Sequence, residues 1–328
     1  MNIYNEIIDK IKNSERILLT SHINPDGDAL GSGLALFLAL NKYNRIQSGL
    51  DENYMDKVVR IVLEDNVPGN LKFLKGTEMI ENIKNVESKY KFDLVICLDS
   101  ANKERIGSVE RLIGEDSYII NIDHHTSNTE YGDINCIENI SSTSEIIYKF
   151  IKKMDIEIDT VIGEAIYTGV VNDTGNFAHS NVTKDTFLLA SDLLEKGVDN
   201  SKIVREFYNS KSMSTLRLMG KALEDMIYVP EKKLVHLFIS QDTLKELGAK
   251  REESEGLVEL INSYEGSEVS LFMREDEKGK IKGSMRSKHD KDVNAIAKIF
   301  GGGGHIKAAG FTSDLSEKEI IEKVTAML

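Results

Sequence analysis

The chain has 328 residues, 41% hydrophobic and 29% charged, which excludes the disordered and fibrous classes and, at about 150 residues per domain, predicts two domains. Its 41 basic and 54 acidic residues leave a net charge of −13. That excludes a nucleic-acid coat or a membrane-surface binder, both of which need a basic face, but not a polyanionic substrate if cations or a local basic patch offset the field.

In chain order, residues 1–12 read as an amphipathic helix rather than a signal peptide. Residues 17–20 read as a strand, followed by a buried helix over 29–43 whose apolar run at 34–40 is too short to span a bilayer. Further strands are expected at 58–63, 92–98 and 118–122. Ser142-Thr143-Ser144-Glu145 fits a capping box opening a helix to Lys153. Helices are also expected at 160–172, 185–196 and 201–225, the last long enough to connect two domains. After Pro230, strands are expected at 233–240, 269–274 and 280–287, with helices at 292–300 and 316–328. The fold class is α/β: a mostly parallel sheet in the first domain and a smaller α/β second domain, with the active site in the cleft between them. Cys97 and Cys136 have no metal-site spacing and read as buried hydrophobes, not a disulfide. A cytoplasmic protein is expected.

Chemistry collects where the first domain's strands end. Residues 17–20 run into His22-Ile23-Asn24-Pro25-Asp26-Gly27-Asp28, 92–98 into Asp99, and 118–122 into Asp123-His124-His125, while the 160–172 helix runs into Asp173. Parallel strands bring such ends to one edge. A lone Asp after a strand is usually a turn former or helix cap, and Asp28 fits as the cap of the helix that follows. Together, however, so many carboxylates raise one another's pKa or demand a cation. Imidazole plus carboxylate suits first-row divalent metals, and the oxygen excess favours manganese over zinc. The count suffices for two ions, one on His22, Asp26 and Asp99 and the other on Asp28, Asp99, His124 and Asp173. A shared Asp99 would space them as in two-metal hydrolases.

The segment Gly301-Gly302-Gly303-Gly304-His305 lets backbone amides approach an anion, with a helix expected to begin near His305. A flexible linker is the alternative, disfavoured by the small Ala308-Ala309-Gly310 that follows. Residues 280–310 carry seven Lys/Arg against two Asp, and Arg286 could grip a phosphate bidentately. There is no G-x-x-x-x-G-K-[ST], no H-E-x-x-H and no complete dinucleotide fingerprint.

In this order, His22-x-x-Pro25-Asp26-Gly27-Asp28, Asp99, Asp123-His124-His125, Asp173-Thr174-Gly175 and Gly-Gly-Gly-His305-x-x-Ala-Ala-Gly310 resemble the DHH phosphoesterases, in particular the nanoRNase and pAp-phosphatase branch with a C-terminal DHH-associated domain. The resemblance covers nearly the whole chain. It implies a DHH catalytic domain over 1–195, a helical connector over 196–229 and a DHH-associated substrate-binding domain over 230–328. It also implies two Mn²⁺ ions on His22, Asp26, Asp28, Asp99, His124 and Asp173, with His125 and Asp99 in catalysis. Arg286, Asn294, Gly303, Gly304 and His305 then fall at the substrate's terminal nucleotide or phosphate. The activity implied is Mn-dependent phosphodiesterase (exoribonuclease) cleavage of short RNA to mononucleotides, and 3′-phosphate removal from pAp as a 3′(2′),5′-bisphosphate nucleotidase. Alternatives are cleavage of linear or cyclic dinucleotides (pApA, cyclic di-AMP) and nucleotide sensing without turnover. Membranes and long duplex nucleic acid are not expected partners; the oligomeric state stays open, a homodimer included.

Overall fold

A computed structural model describes residues 2–52, 54–87 and 91–328. They fall into two compact units, Met1–Ser210 and Lys211–Leu328. The first contains, in chain order, α1 (Ile3–Lys12), β1 (Arg16–Ser21), α2 (Gly27–Leu50), β2 (Val58–Leu63), β3 (Glu81–Asn82), β4 (Phe92–Leu98), β5 (Ile113–Asp123), β6 (Ile134–Ile137), α3 (Thr143–Lys153), α4 (Thr160–Asp173), α5 (Lys184–Glu195) and α6 (Asn200–Tyr208). The strands form one sheet in the order β3-β2-β1-β4-β5-β6, and all the pairings are parallel.

The apolar runs explain the central strands. β1 and β4 each bury all but one of their residues, as a strand covered on both faces must. Strand order reverses between β1 and β4, and in open α/β sheets the crevice beyond the carboxyl ends at that reversal is where ligands bind. α2 and α4 pack closely because Gly31 and Gly169 lack a Cβ. At Gly31 a Cβ would press on the Ala165 carbonyl, and at Gly169 on Ser144 Oγ and Asp28 Oδ1. Cys97 and Cys136 are free and buried, as expected. No described helix is long and apolar enough to cross a membrane.

The expected helix over 201–225 is instead two. α6 ends at Tyr208, and α7 (Met213–Asp225) starts in the second unit. The polar run Asn209-Ser210-Lys211-Ser212 separates them, and Ser212 caps α7 by accepting from Thr215 N at 3.0 Å.

The second unit continues with β7 (Ile227–Val229), β8 (Leu234–Ile239), α8 (Gln241–Leu247), α9 (Leu257–Asn262), β9 (Val269–Glu275), β10 (Ile281–Ser287), α10 (Val293–Ile299), β11 (Gly303–His305), β12 (Ala308–Ser313) and α11 (Glu317–Met327). Its sheet runs β11-β12-β10-β9-β8-β7, with β8 and β9 parallel and the other pairs antiparallel. Leu271, Met285 and Phe311 pack with Val293 of α10 and Val324 of α11. Val235, Leu237 and Phe272 pack with Leu218 of α7 and Leu257 of α9.

The helix expected near His305 does not form. Residues 303–313 make a hairpin, β11 and β12, turning at Ile306 and Lys307. The reason is tertiary: β12 pairs with β10 from Ala308 to Ser313, and Gly304 folds back so closely that a Cβ would strike the Ala308 carbonyl.

Candidate metal centre

Three loops at the carboxyl edge of the first sheet meet the end of α4. His22 follows β1, Asp99 follows β4, Asp123-His124-His125 close β5, and Asp173 ends α4. Asp99 takes a left-handed backbone (φ 53°), a conformation that Asp tolerates better than most residues. Its N–H donates to the Ile122 carbonyl at 3.0 Å, tying the turn to β5. The cap of α2 is Asp26, not Asp28: Asp26 Oδ1 accepts from the amides of Asp28 at 3.0 Å and Ala29 at 3.1 Å.

Two histidines are aimed alike. A carbonyl can only accept, so His22 Nδ1 donates to Ile23 O at 2.8 Å and His124 Nδ1 to Ile140 O at 3.2 Å. Each Nε2 therefore faces carboxylates. His22 Nε2 lies 3.4 Å from Asp99 Oδ2 and 3.8 Å from Asp26 Oδ1. His124 Nε2 lies 2.9 Å from Asp173 Oδ2 and 3.7 Å from Asp99 Oδ1. A metal-binding histidine usually has its far N–H held in this way by a backbone carbonyl or carboxylate, which fixes the ring's tautomer and aim.

Asp28 is fully buried and rests on the start of α3, where the Thr143 amide donates to Oδ2 at 2.7 Å and the Ser144 amide to Oδ1 at 2.8 Å. A helix N-terminus favours such an anion. Thr143 Oγ1 also donates to Asp99 Oδ1 at 3.1 Å, so one residue steadies two carboxylates.

The electrostatics require compensation. Burial, then the charges of Asp173 and Asp99, push the Asp28 carboxyl well up, and burial followed by Asp99 raises Asp26. Burial alone would lift Asp99 too, but His22, then His125 and His124, hold it at about 2. Burial opposes charge on His124, yet Asp173, Asp28 and Asp99 raise it to about 10. Without cations, then, the carboxylates favour protons on the imidazoles facing them.

The donor set fits cations. His22, Asp26 and Asp99 form one group and Asp28, His124 and Asp173 another, the candidate ligand atoms of each lying within 4.8 Å of one another. Although 2.9 Å from Asp173, the buried His124 Nε2 lacks the alignment of a hydrogen bond and has no partner. Asp99 lies near both groups, through His22 and His124. Asp123 also lies near, but its oxygens are taken: Oδ1 accepts from the His124 amide at 2.8 Å and His125 Nδ1 at 2.7 Å, and Oδ2 from Asn128 Nδ2 at 2.6 Å. A cavity of about 650 Å³ lined by Glu15, Arg16, Phe92, Asp93 and Gly114 lies at the amino ends of β1, β4 and β5, on the edge away from this cluster.

Sequence reasoning brought together all six expected ligands and His125. It missed Thr143, Ser144 and Asn128. The capping pattern at 142–145 marked the helix start, but nothing local reveals that its amides face Asp28. Glu145, expected to close the capping box, hydrogen-bonds Ser141 and Thr186 instead.

The other expected site residues lie in the second unit. Asn294 Oδ1 accepts from the Gly304 amide at 3.0 Å, bracing the glycine hairpin, and the Lys307 amide reaches His305 Nδ1 at 3.4 Å. Gly303 and His305 are exposed on β11. Arg286 is already engaged, its Nε donating to Glu259 Oε1 at 2.9 Å with Nη2 2.7 Å from the same oxygen.

Residues 16–170 match the DHH family, N-terminal domain, and 231–328 match the DHHA1 domain. The bifunctional oligoribonuclease and PAP phosphatase NrnA of Thermus thermophilus is 32% identical, over 90% of this chain and 83% of its own. The protein of the same name from Bacillus subtilis is 30% identical, over 93% and 91% of the two chains. The crystal structure of an exopolyphosphatase-related protein from Bacteroides fragilis matches with a TM-score of 0.88 and 29% identity, covering 99% of this chain and 95% of that one. With two domain matches in the family's order and relatives aligned along most of their length, the chain belongs to the DHH phosphoesterase family.

Proposed function

We propose that this chain is a two-metal phosphoesterase that degrades RNA oligonucleotides of a few residues to mononucleotides and removes the 3′-phosphate of pAp. The observation that carries the reading is the pair of donor groups, His22/Asp26 and Asp28/His124/Asp173, on either side of Asp99. The relatives named oligoribonuclease and PAP phosphatase support the substrate class. The oxygen-rich, thiolate-free set favours Mn²⁺. When bound, two such ions would supply the Lewis acidity that activates water and offsets phosphoryl charge.

The chain's own groups do the rest. His125, held through Nδ1 by Asp123, presents Nε2 to the scissile phosphate. The Asp123 hydrogen bond raises the His125 pKa against the opposing effect of burial, which favours the doubly protonated ring, whose Nε2–H can donate to a phosphoryl or leaving oxygen. Thr143 holds Asp99 and Asp28 in place. In the second unit Arg286, Asn294, Gly303, Gly304 and His305 bind the terminal phosphate or nucleotide. Such an enzyme works in the cytoplasm, where short RNA arises.

The test is a steady-state assay of pAp, diadenylate and a five-nucleotide RNA with Mn²⁺, with Mg²⁺ and in excess chelator. Hydrolysis of pAp and RNA with Mn²⁺ ahead of Mg²⁺ is expected. Full turnover in chelator overturns the metal role, and hydrolysis of diadenylate alone shifts the reading to a dinucleotide phosphodiesterase.

A further inference from the structure

The register of β9 and β10 sets Lys282 directly opposite Arg274. Residues so paired share one face of the sheet with Cβ atoms about 5 Å apart, where like charges repel. Arg251 adds a third positive charge that acts on both, and Arg274 Nη1 donates to the Arg251 backbone carbonyl at 2.7 Å and to Ser254 Oγ at 2.7 Å. Burial, then Arg251, lowers the Arg274 pKa; burial, then Arg251 and Arg274, lowers that of Lys282.

Nothing acidic closes on this group. Elsewhere in the unit, Arg286 pairs with Glu259, Lys280 with Asp314 and Lys221 with Asp225. Among the described residues no carboxylate lies within ion-pair distance of Arg251, Arg274 or Lys282; Glu252, Glu255 and Asp276 act on Arg274, and Glu255 on Lys282, from farther away. Arg274 is 7% exposed, and its Nε is buried with no hydrogen-bond partner. A buried charge left so incompletely paired is costly. In a chain of net charge −13, a carboxylate to relieve that cost is readily available, yet none is used.

We propose that Arg251, Arg274 and Lys282 form an anion site for a phosphate of an oligoribonucleotide, one beyond the phosphate bound at Arg286. The inference rests on the oligonucleotide reading above. Lys282 and Arg286 stand four residues apart on β10, hence on one face and about 13 Å apart. At about 3.4 Å of rise per stacked nucleotide that spans roughly four residues, fewer in an extended strand. Only a substrate of several nucleotides reaches both positions; pAp does not. The site therefore favours oligonucleotides at the longer end of the range.

Arg274 anchors the turn at 251–254, so the variants to use are Lys282→Ala and Arg251→Ala, with Lys282→Arg as the charge-preserving control. In the metal-loaded enzyme, either alanine variant should raise KM for a five-nucleotide RNA about tenfold with kcat within twofold. The slope of log KM against log salt should fall by about 0.7, one phosphate contact on a single strand. Lys282→Arg should stay near wild type, and pAp, too short to reach the site, serves as the internal control. An unchanged KM and salt slope in both alanine variants, or an equal loss on pAp, overturns the site. If wild type does not cleave the five-nucleotide RNA, the oligonucleotide reading fails separately. Fluorescence anisotropy of the intact labelled RNA then decides the site, by the same tenfold change in Kd and the same salt slope.

Discussion

Asp123 and His125 are joined through Oδ1 and Nδ1 at 2.7 Å. A carboxylate only accepts, so the proton sits on Nδ1 and the ring's Nε2 is left for other work. With its second oxygen on Asn128, Asp123 is placed to orient His125. Asp123→Asn cannot accept all these hydrogen bonds, because its amide would set a donor against a donor. The variant should keep its metals and lose about 10- to 100-fold in kcat, the usual cost of removing an outer-shell partner. His124→Ala should instead lower metal occupancy, and His125→Ala should keep both metals and slow the chemical step. Metal content measured beside kcat in the three variants checks this; loss of metal in Asp123→Asn would make Asp123 a ligand.

The contrast between Asp99 and Thr143 shows how far sequence reaches. Asp99 is legible because a polar residue ends the apolar run 92–98, and parallel strands bring such ends together. Thr143 is not, since its role depends on α3 starting beside Asp28 and Asp99, which lie 115 and 44 residues away. The same division holds for the fold. β1, β2, β4 and β5 contain the expected runs, whereas β3 has only two residues and β6 only four, too short to carry a period. α8 and α9, of seven and six residues, are equally short. The glycines at 301–304 have no conformational preference strong enough to choose between helix and hairpin, so β12 and its partner β10 decide.

Replacing Asp99 tests whether it serves both cations. Asp99→Ala should cost more activity than Asp28→Ala and lower metal stoichiometry at both sites, whereas Asp28→Ala should spare the His22 and Asp26 group. Thr143→Val removes only the hydroxyl donor to Asp99 and should weaken metal affinity about 10- to 100-fold, with Thr143→Ser restoring it. Titration calorimetry with Mn²⁺ reads all four. An equal or smaller effect of Asp99→Ala than of Asp28→Ala would exclude the shared role.

Cation binding should release protons. In the cation-free chain His22 is raised, with Asp99 overcoming burial, and His124 is raised to about 10; Asp26 and Asp28 are raised as well. At these groups the folded state holds more protons than the unfolded chain, so their contribution to stability falls as pH rises, beginning in the ordinary carboxylate range for Asp26 and Asp28 and in the ordinary histidine range for His22 and His124, and for His124 continuing to about 10. Ligation needs neutral imidazole and ionised carboxylate, so apparent metal affinity should climb over the same window. Calorimetry in buffers of different ionisation enthalpy measures the release, and a metal affinity flat with pH would rule it out.

Arg286 offers the sharpest test of how the two units divide their labour. On the proposed reading, the acidic first unit would hold substrate mainly through cations at the scissile phosphate, so a terminal phosphate would be gripped elsewhere. Arg286 has the planar guanidinium for that grip, but Glu259 already occupies Nε and Nη2. An incoming phosphate must therefore compete with, or share, that carboxylate. Arg286→Ala should remove a charge-assisted contact of about 1.5–3 kcal/mol, read as weaker binding of pAp and of di- and trinucleotides. Glu259→Gln should act in the opposite direction, freeing the guanidinium and lowering KM for the same substrates. A small model phosphodiester that touches only the metals should be turned over almost as before by both variants. The measurement is kcat/KM for both substrate types in wild type and the two variants. If the model ester suffers as much as the dinucleotide in Arg286→Ala, Arg286 belongs to the chemistry or to folding. If Glu259→Gln weakens pAp, the pair binds substrate as a unit, with Glu259 positioning the guanidinium rather than masking it.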